Sequence, residues 1–164
     1  LQSDLSRIAL ASHAAEMCRR TAPEGEASPA FDRLTEILDH LLEEPASVAV
    51  RRAFELRLVS SLGYHPSLSV CALCGREEGA LYFDLESGGC LCPDHGIGKE
   101  RIGPGTRAWM QHVLASEAFL PHGPFEASDA AKAARTVRRP MDRFFASLLG
   151  SPLRSTAFLE DVLP

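Results

Sequence analysis

Apolar residues recur at helical spacing through most of this chain, and the spacing changes once, near the middle. Leu5, Ile8, Ala9, Ala15 and the Met17-Cys18 pair give a small-residue apolar face to a helix running from a Ser3 cap to about Arg20. The segment 22–28 breaks that helix, and Ser28-Pro29 opens a second one in the favoured order of cap, then proline. Phe31, Leu34, Ile37, Leu38, Leu41 and Leu42 carry it down to Glu44. Pro45 restarts the chain as a third helix, from about Ala46 to Leu62, with Gly63 as its stop. Val50, Phe54, Leu58 and Leu62 fall at steps of four along it, flanked by Ala53, Leu56 and Val59, which marks a core helix. Arg51, Arg52 and Arg57 are expected on its solvated surface.

The period then shortens. Leu81 to Glu86 alternates apolar and polar as a half-buried strand does, and Ser87-Gly88-Gly89 turns it back into Cys90-Leu91-Cys92. Gly96 to Gly105 reads as loop, followed by a helix from about Thr106 that carries Trp109, Met110, Val113 and Leu114. Pro121 to Pro124 is a second loop. Ser128 and Asp129 cap a last long helix, where Ala130, Ala131, Ala133 and Ala134 allow close packing before Phe144, Phe145, Leu148, Leu149 and the Gly150 stop. Pro140 should kink that helix or split it in two. The tail of Phe158, Leu159, Val162 and Leu163 should pack back onto the bundle. The expected fold is mainly α: a helical bundle formed by residues 1–66 and 97–164, with a small β module, residues 67–96, inserted in it.

At 164 residues the chain is long enough to bury a core. Five cysteines, four of them clustered, fit metal binding in a reducing compartment better than a secreted disulfide framework. No apolar run reaches the ~20 residues of a membrane span, and no charged-then-apolar leader is present. The expectation is a soluble, intracellular protein. The chain opens on Leu1 without a methionine and enters helix almost at once, so we expect a fragment of something longer.

Cys71-Ala-Leu-Cys74-Gly75 and Cys92-Pro-Asp-His95-Gly96 are two matched knuckles, each with donors three positions apart and a glycine after the pair. Residues 75–91 separate them, within the roughly 15–20 expected when two knuckles share a short hairpin. Cys71, Cys74, Cys92 and His95 close a tetrahedron around one zinc ion, so its role is structural and the module is a zinc ribbon. The competing reading is buried free cysteines or a disulfide. Cys90 is a rival ligand on the same face, but Cys90-Leu-Cys92 cannot repeat the first turn. His65, five residues before Cys71 and beside a proline, is left out. No glycine-rich phosphate loop, serine elbow or zinc-deaminase signature is present, and Asp94 has no metal-bound water to activate, so no catalytic role is expected.

The net charge of −5 is unevenly spread: residues 1–45 hold nine acids and four bases, residues 96–164 nine bases and seven acids. On the last helix Lys132, Arg135, Arg139 and Arg143 lie at steps of three, four and four, with Arg138 beside them. Two readings are open: a stripe that neutralises DNA phosphates, or an ordinary solvated helix surface.

Phe54-Glu55-Leu56-Arg57-Leu58, Leu62-Gly63-Tyr64, Pro66, Leu68, Cys71-x-x-Cys74-Gly75, Tyr82-Phe83, Gly88-Gly89 and Cys92 together resemble the central region of the RecO family of bacterial recombination mediators. Leu153-Arg154-Ser155-Thr156-Ala157-Phe158-Leu159 is similar to that family's C-terminal signature, and Pro23-Glu24-Gly25-Glu26 followed by Pro29 and Phe31 extends the likeness. The resemblance implies a helical domain with an inserted zinc ribbon, preceded by an OB-fold whose strands this chain does not offer. It also implies binding of single- and double-stranded DNA, strand annealing, and work with RecR, with RecF in some settings, and with the tail of single-stranded DNA-binding protein to help load RecA. A cytoplasmic, nucleoid-associated place of work follows from it. His95 departs from the four-cysteine pattern common in the family, a change that leaves the donor set able to bind zinc.

Overall fold

The computed structural model describes residues 2–22 and 28–163, with side chains from residue 4 onward. Ser3 falls inside α1, which begins at Gln2, and not ahead of it as a cap, while the Pro23-Glu24-Gly25-Glu26 likeness lies outside the described residues. The helices are α1 (Gln2–Thr21), α2 (Pro29–Glu43), α3 (Val48–Ser61), α4 (Pro104–Ala115), α5 (Ala127–Thr136), α6 (Arg138–Leu149) and α7 (Ser155–Val162), with strands β1 (Tyr82–Asp84), β2 (Gly89–Leu91) and β3 (Glu100–Arg101) between α3 and α4. The protein is thus mainly α with a small sheet. Among the described residues no helix is long and apolar enough to cross a membrane.

Local signals set most of these boundaries. Ser28 Oγ accepts the Ala30 N–H at 3.3 Å with Pro29 in the first turn of α2, and Ser47 Oγ accepts the Val50 N–H at 3.2 Å to start α3. α4 starts at Pro104, two residues before the expected Thr106, because proline's missing N–H costs nothing at a helix start. Glu126 occupies the cap position of α5, so Ser128 and Asp129 fall inside its first turn. The break that Pro140 was expected to cause comes at Val137, upstream of the proline. In one continuous helix the Pro140 ring would strike the carbonyl of Thr136, whereas within the first turn of α6 it has no intrahelical bond to lose.

α3 runs through the centre of the bundle, packed by α1, α2, α4 and α5. That position overturns the expectation for its arginines. Arg51, Arg52 and Arg57 are all buried. Arg51 Nε donates to Glu55 Oε1 (2.9 Å), and Arg52 Nη1 donates to Glu55 Oε2 and to Asp142 Oδ1 of α6 (both 2.6 Å). Arg57 reaches Glu36 of α2 and caps the end of α4 by donating to the carbonyls of Val113, Ser116 and Glu117. Burial alone would cost these cations dearly, and the carboxylates and carbonyls offset it.

The apolar face of α1 is also rotated from the expected one. Ala9, Leu10, Ala14, Met17 and Cys18 are buried, while Leu5, Ile8 and Ala15 are exposed. Polar residues share the buried side: Ser6 Oγ donates to the Val162 carbonyl (2.9 Å), and His13 Nδ1 lies 3.1 Å from Ser155 Oγ and its Nε2 3.4 Å from Glu55 Oε1. On α2, Ala30, Ile37 and Leu41 turn inward, but Phe31 and Leu42 remain 70% and 78% exposed. In the tail, Leu159 is buried and Val162 and Leu163 pack against the core, while Phe158 faces out.

The sheet has the order β2-β1-β3, antiparallel throughout, with Phe83 opposite both Cys90 and Glu100. β3 corrects the reading of Gly96 to Gly105 as loop, and it lies beyond residue 96. The inner side of the ribbon shares the bundle's core: Leu68, Ala80, Phe83, Leu85, Cys90 and Ile102 belong to the same apolar cluster as Phe54 and Trp109.

Candidate metal centre and cationic surface

Two turns build the centre. In the first, Gly75 N–H donates to the Cys71 carbonyl (2.8 Å) and the chain returns so that Cys71 N–H donates to the Arg76 carbonyl (2.8 Å). In the second, the His95 and Gly96 N–H groups both donate to the Cys92 carbonyl, at 3.1 and 2.8 Å. The glycines after the two pairs do different work. Gly75 has φ +73°, a conformation that favours glycine, whereas Gly96 has no positive φ and is required because a Cβ there would strike the Tyr82 ring.

The turns bring one donor atom each from Cys71, Cys74, Cys92 and His95 within 4.8 Å of one another, a group that could hold a metal ion. His95 Nδ1 lies 3.5 Å from Cys71 Sγ and 3.3 Å from Cys92 Sγ, and Cys74 Sγ lies 3.9 Å from Cys92 Sγ. A tetrahedron with ~2.3 Å metal–sulfur and ~2.1 Å metal–nitrogen bonds has edges of about 3.5–3.8 Å, close to these separations. A disulfide needs about 2.05 Å, so that alternative fails, and all five cysteines are free. Burial works to raise the Cys71 thiol, but the backbone N–H groups of Cys92, Leu73 and Cys74 and the His95 ring hold it down at about 5. It is therefore a thiolate, the form a metal binds, at neutral pH.

The rival donors lie elsewhere. Cys90 sits within the bundle's core with its thiol pushed by burial up to about 11, while Cys92 packs with Cys71 and Leu91 in a separate small cluster. Because the chain leaves the strand after Leu91, the two cysteines do not share a face. His65 Nδ1 is 2.7 Å from Ser60 Oγ. Asp94 accepts from the exposed Arg76 (2.8 Å), a link between the knuckles.

Asp84, buried in β1, anchors the ribbon from the other side. Its Oδ2 accepts from Ser87 Oγ (2.6 Å), the Ser87 N–H (3.1 Å) and Lys99 Nζ (2.8 Å). Burial opposes its charge, yet these bonds, with Arg143, keep its pKa below the usual carboxylate value. Gln111 of α4 adds a second tie, donating to the Leu68 carbonyl and Ser69 Oγ, both at 3.3 Å.

The five cations singled out by sequence are all exposed but fall on two helices, Lys132 and Arg135 on α5 and Arg138, Arg139 and Arg143 on α6. Their surroundings differ. Arg138 donates to Glu160 (2.9 Å) and lies 3.5 Å from Asp142, and Arg143 lies 3.8 Å from Asp84 Oδ1. Among the described residues Lys132, Arg135 and Arg139 have no ion-pair partner. Arg135 and Arg138 also border a cavity of about 230 Å³ into which the α3 residues Arg51 and Arg52 open. The helical pattern gave no sign of those two guanidinium groups, although the spacing of Arg51 and Arg52 to Glu55 is that of helical ion pairs.

Comparison with known proteins bears on this arrangement. Residues 2–157 match the family model described as "Recombination protein O C terminal". A protein named "DNA repair protein RecO" from Pelobacter propionicus is 36% identical over 168 residues, covering 99% of this chain and 65% of its own length. Proteins of that name from Anaeromyxobacter sp. (strain K) and Roseiflexus sp. (strain RS-1) are each 34% identical, over 100% and 99% of this chain and 66% and 58% of their own. The chain thus spans about two thirds of the length of the first of these relatives. With a match that runs from α1 through both knuckles to the start of α7, the chain belongs to the RecO family.

Proposed function

We propose that this chain is the helical and metal-ribbon part of a DNA repair and homologous recombination mediator that works in the bacterial cytoplasm, binds single- and double-stranded DNA, anneals strands, and acts with RecR to help load RecA. RecF and the tail of single-stranded DNA-binding protein are its further partners. The observation that carries this reading is the family match over residues 2–157. Lys132, Arg135 and Arg139 are its phosphate-contacting groups, since they are exposed and have no ion-pair partner among the described residues, while Arg138 and Arg143 contribute less because each already faces an acid. The tetrad holds one Zn²⁺: three thiolates and an imidazole suit that ion, and four protein donors leave no open position for catalysis.

The test is fluorescence anisotropy of labelled single- and double-stranded DNA titrated at low and moderate salt, comparing the wild type with Arg135→Ala and Arg139→Ala. Binding that weakens steeply with salt, with a shallower salt slope in the variants, supports a DNA surface on α5 and α6. A chain that binds no DNA at low salt assigns this region to protein docking instead. One observation favours that second reading, a zinc-stabilised interaction scaffold: Phe31, Leu38 and Leu42 form an exposed apolar stripe along α2.

A further inference from the structure

The connection between α4 and α5 folds over the C-terminal end of α2 and is firmly held there. Trp109 Nε1 donates to the Pro121 carbonyl (2.8 Å), and the His40 ring meets Phe119 edge-to-face with centroids 5.1 Å apart. The same contact borders a cavity of about 340 Å³ lined by His40, Glu44, Phe119, Pro121 and His122. Two of the imidazoles that line it carry atoms that nothing satisfies: His40 Nε2 and His122 Nδ1 are both shielded from solvent and neither has a hydrogen-bond partner. A buried polar atom of that kind calls for a water or an ion. Glu44 and His122 both stand near enough to His40 to act on its charge.

We propose that His40 Nε2, His122 Nδ1 and the Glu44 carboxylate bind a divalent transition-metal ion, separate from the cysteine tetrad. Two imidazole nitrogens and a carboxylate suit Zn²⁺, Ni²⁺ or Cu²⁺ and are a poor set for Mg²⁺ or Ca²⁺. The site lies at the C-terminal end of α2, where the unpaired carbonyls favour a cation. Among the described residues only the tetrad brings three donors within 4.8 Å, so Glu44, exposed and four positions past His40, swings in to complete the site, with water in the remaining positions. The bound ion clips the end of α2 to the segment that follows α4.

The experiment starts from the chain with its tetrad zinc-loaded and titrates Ni²⁺ by calorimetry, with thermal unfolding followed in parallel. One further saturable equivalent and a raised Tm are expected in the wild type, both absent in His40→Gln/His122→Gln, which keeps its zinc. Because that double variant removes a core contact at Phe119, His122→Gln alone and electron paramagnetic resonance of the wild type with Cu²⁺ form the second measurement, with nitrogen splitting from two imidazoles expected. Without saturable Ni²⁺ binding in the wild type, or with binding and spectrum unchanged in the His122 variant, the imidazoles face water only and the proposal falls.

Discussion

The bundle and the ribbon both place charged groups where water cannot reach, and they stabilise themselves in opposite ways. In the bundle, Glu55 and its arginines sit inside a continuous apolar core, so the ionic network adds specificity to helices that already bury Phe54, Trp109, Ile37 and Met141. In the ribbon, the cluster around the tetrad contains only Cys71, Leu91 and Cys92, with Ala72 and Tyr82 against it. So small a cluster cannot offset the entropy of ordering two knuckles. With the proposed zinc in place, the ribbon's outer half depends on that ion, and its inner half on the bundle.

The largest expected effect follows from that asymmetry. For the proposed zinc, binding free energy is folding free energy, roughly 10–16 kcal/mol for structural sites near neutral pH. Chelation, or Cys74→Ser, is expected to abolish exchange protection over residues 71–96 while the far-ultraviolet signal of the helices survives. Hydrogen exchange read by mass spectrometry checks this, and protection retained without metal would erase the contrast between the two regions.

The converse perturbation strikes the bundle. Glu55→Gln leaves Arg51 and Arg52 buried with Asp142 as their remaining carboxylate, and breaking a buried ion pair in this way costs about 3–5 kcal/mol. Urea unfolding is expected to shift by that amount in one transition, with the metal content of the folded protein unchanged. A loss under ~1 kcal/mol would mean that the network is solvated and not a buried keystone.

Sequence reading reached these two regions unequally, for physical reasons. The tetrad was legible because its donors are local: three positions within each knuckle and a hairpin between them. The helices were legible from periodicity. The polar interior was not, because its satisfaction is tertiary. Arg52 finds Asp142 ninety positions away, Arg57 finds carbonyls at the end of α4, and His13 finds Ser155 on α7. A reading of α1 by its apolar residues alone also passed over the buried Ser6 and His13, and so mis-set that helix's face. β3 escaped because it is two polar residues long and is defined by its partner β1 rather than by its own alternation.

Acid separates the regions more gently. Burial works to raise Glu16, but hydrogen bonds from Ser155 and the Arg154 N–H, aided by Arg20, hold it at about 2, against an ordinary value of 4.5. Glu55, opposed by burial and held by Arg52 and Arg51, is lowered as well. Both carboxyls are depressed in the folded state, so their contribution is complete above pH of about 4.5 and is lost as pH falls toward 2. The ribbon should fail earlier in the same titration, since protons compete directly for its donors. The expected order in a stepwise acidification is metal release first and loss of helical signal afterwards, followed by a metal indicator and circular dichroism in one cell.

The smallest effect lies at the seam. Arg143 is half exposed and stands 3.8 Å from Asp84 Oδ1, an atom with no other hydrogen-bond partner, on the carboxylate that also holds Lys99 and the Ser87 turn. An exposed partner at that distance contributes under about 1 kcal/mol. Arg143→Ala should therefore leave global stability almost unchanged. Its measurable consequence is local: faster amide exchange over residues 84–88, where the turn bonds to Asp84 begin to open, with the knuckles still protected by metal. The same variant discriminates between the two uses of this cation. If Arg143 belongs chiefly to the seam, its removal weakens DNA binding less than removal of Arg135 or Arg139, neither of which has an ion-pair partner among the described residues. If it weakens binding equally, the 3.8 Å approach to Asp84 is incidental, and the cationic surface extends across the joint between bundle and ribbon.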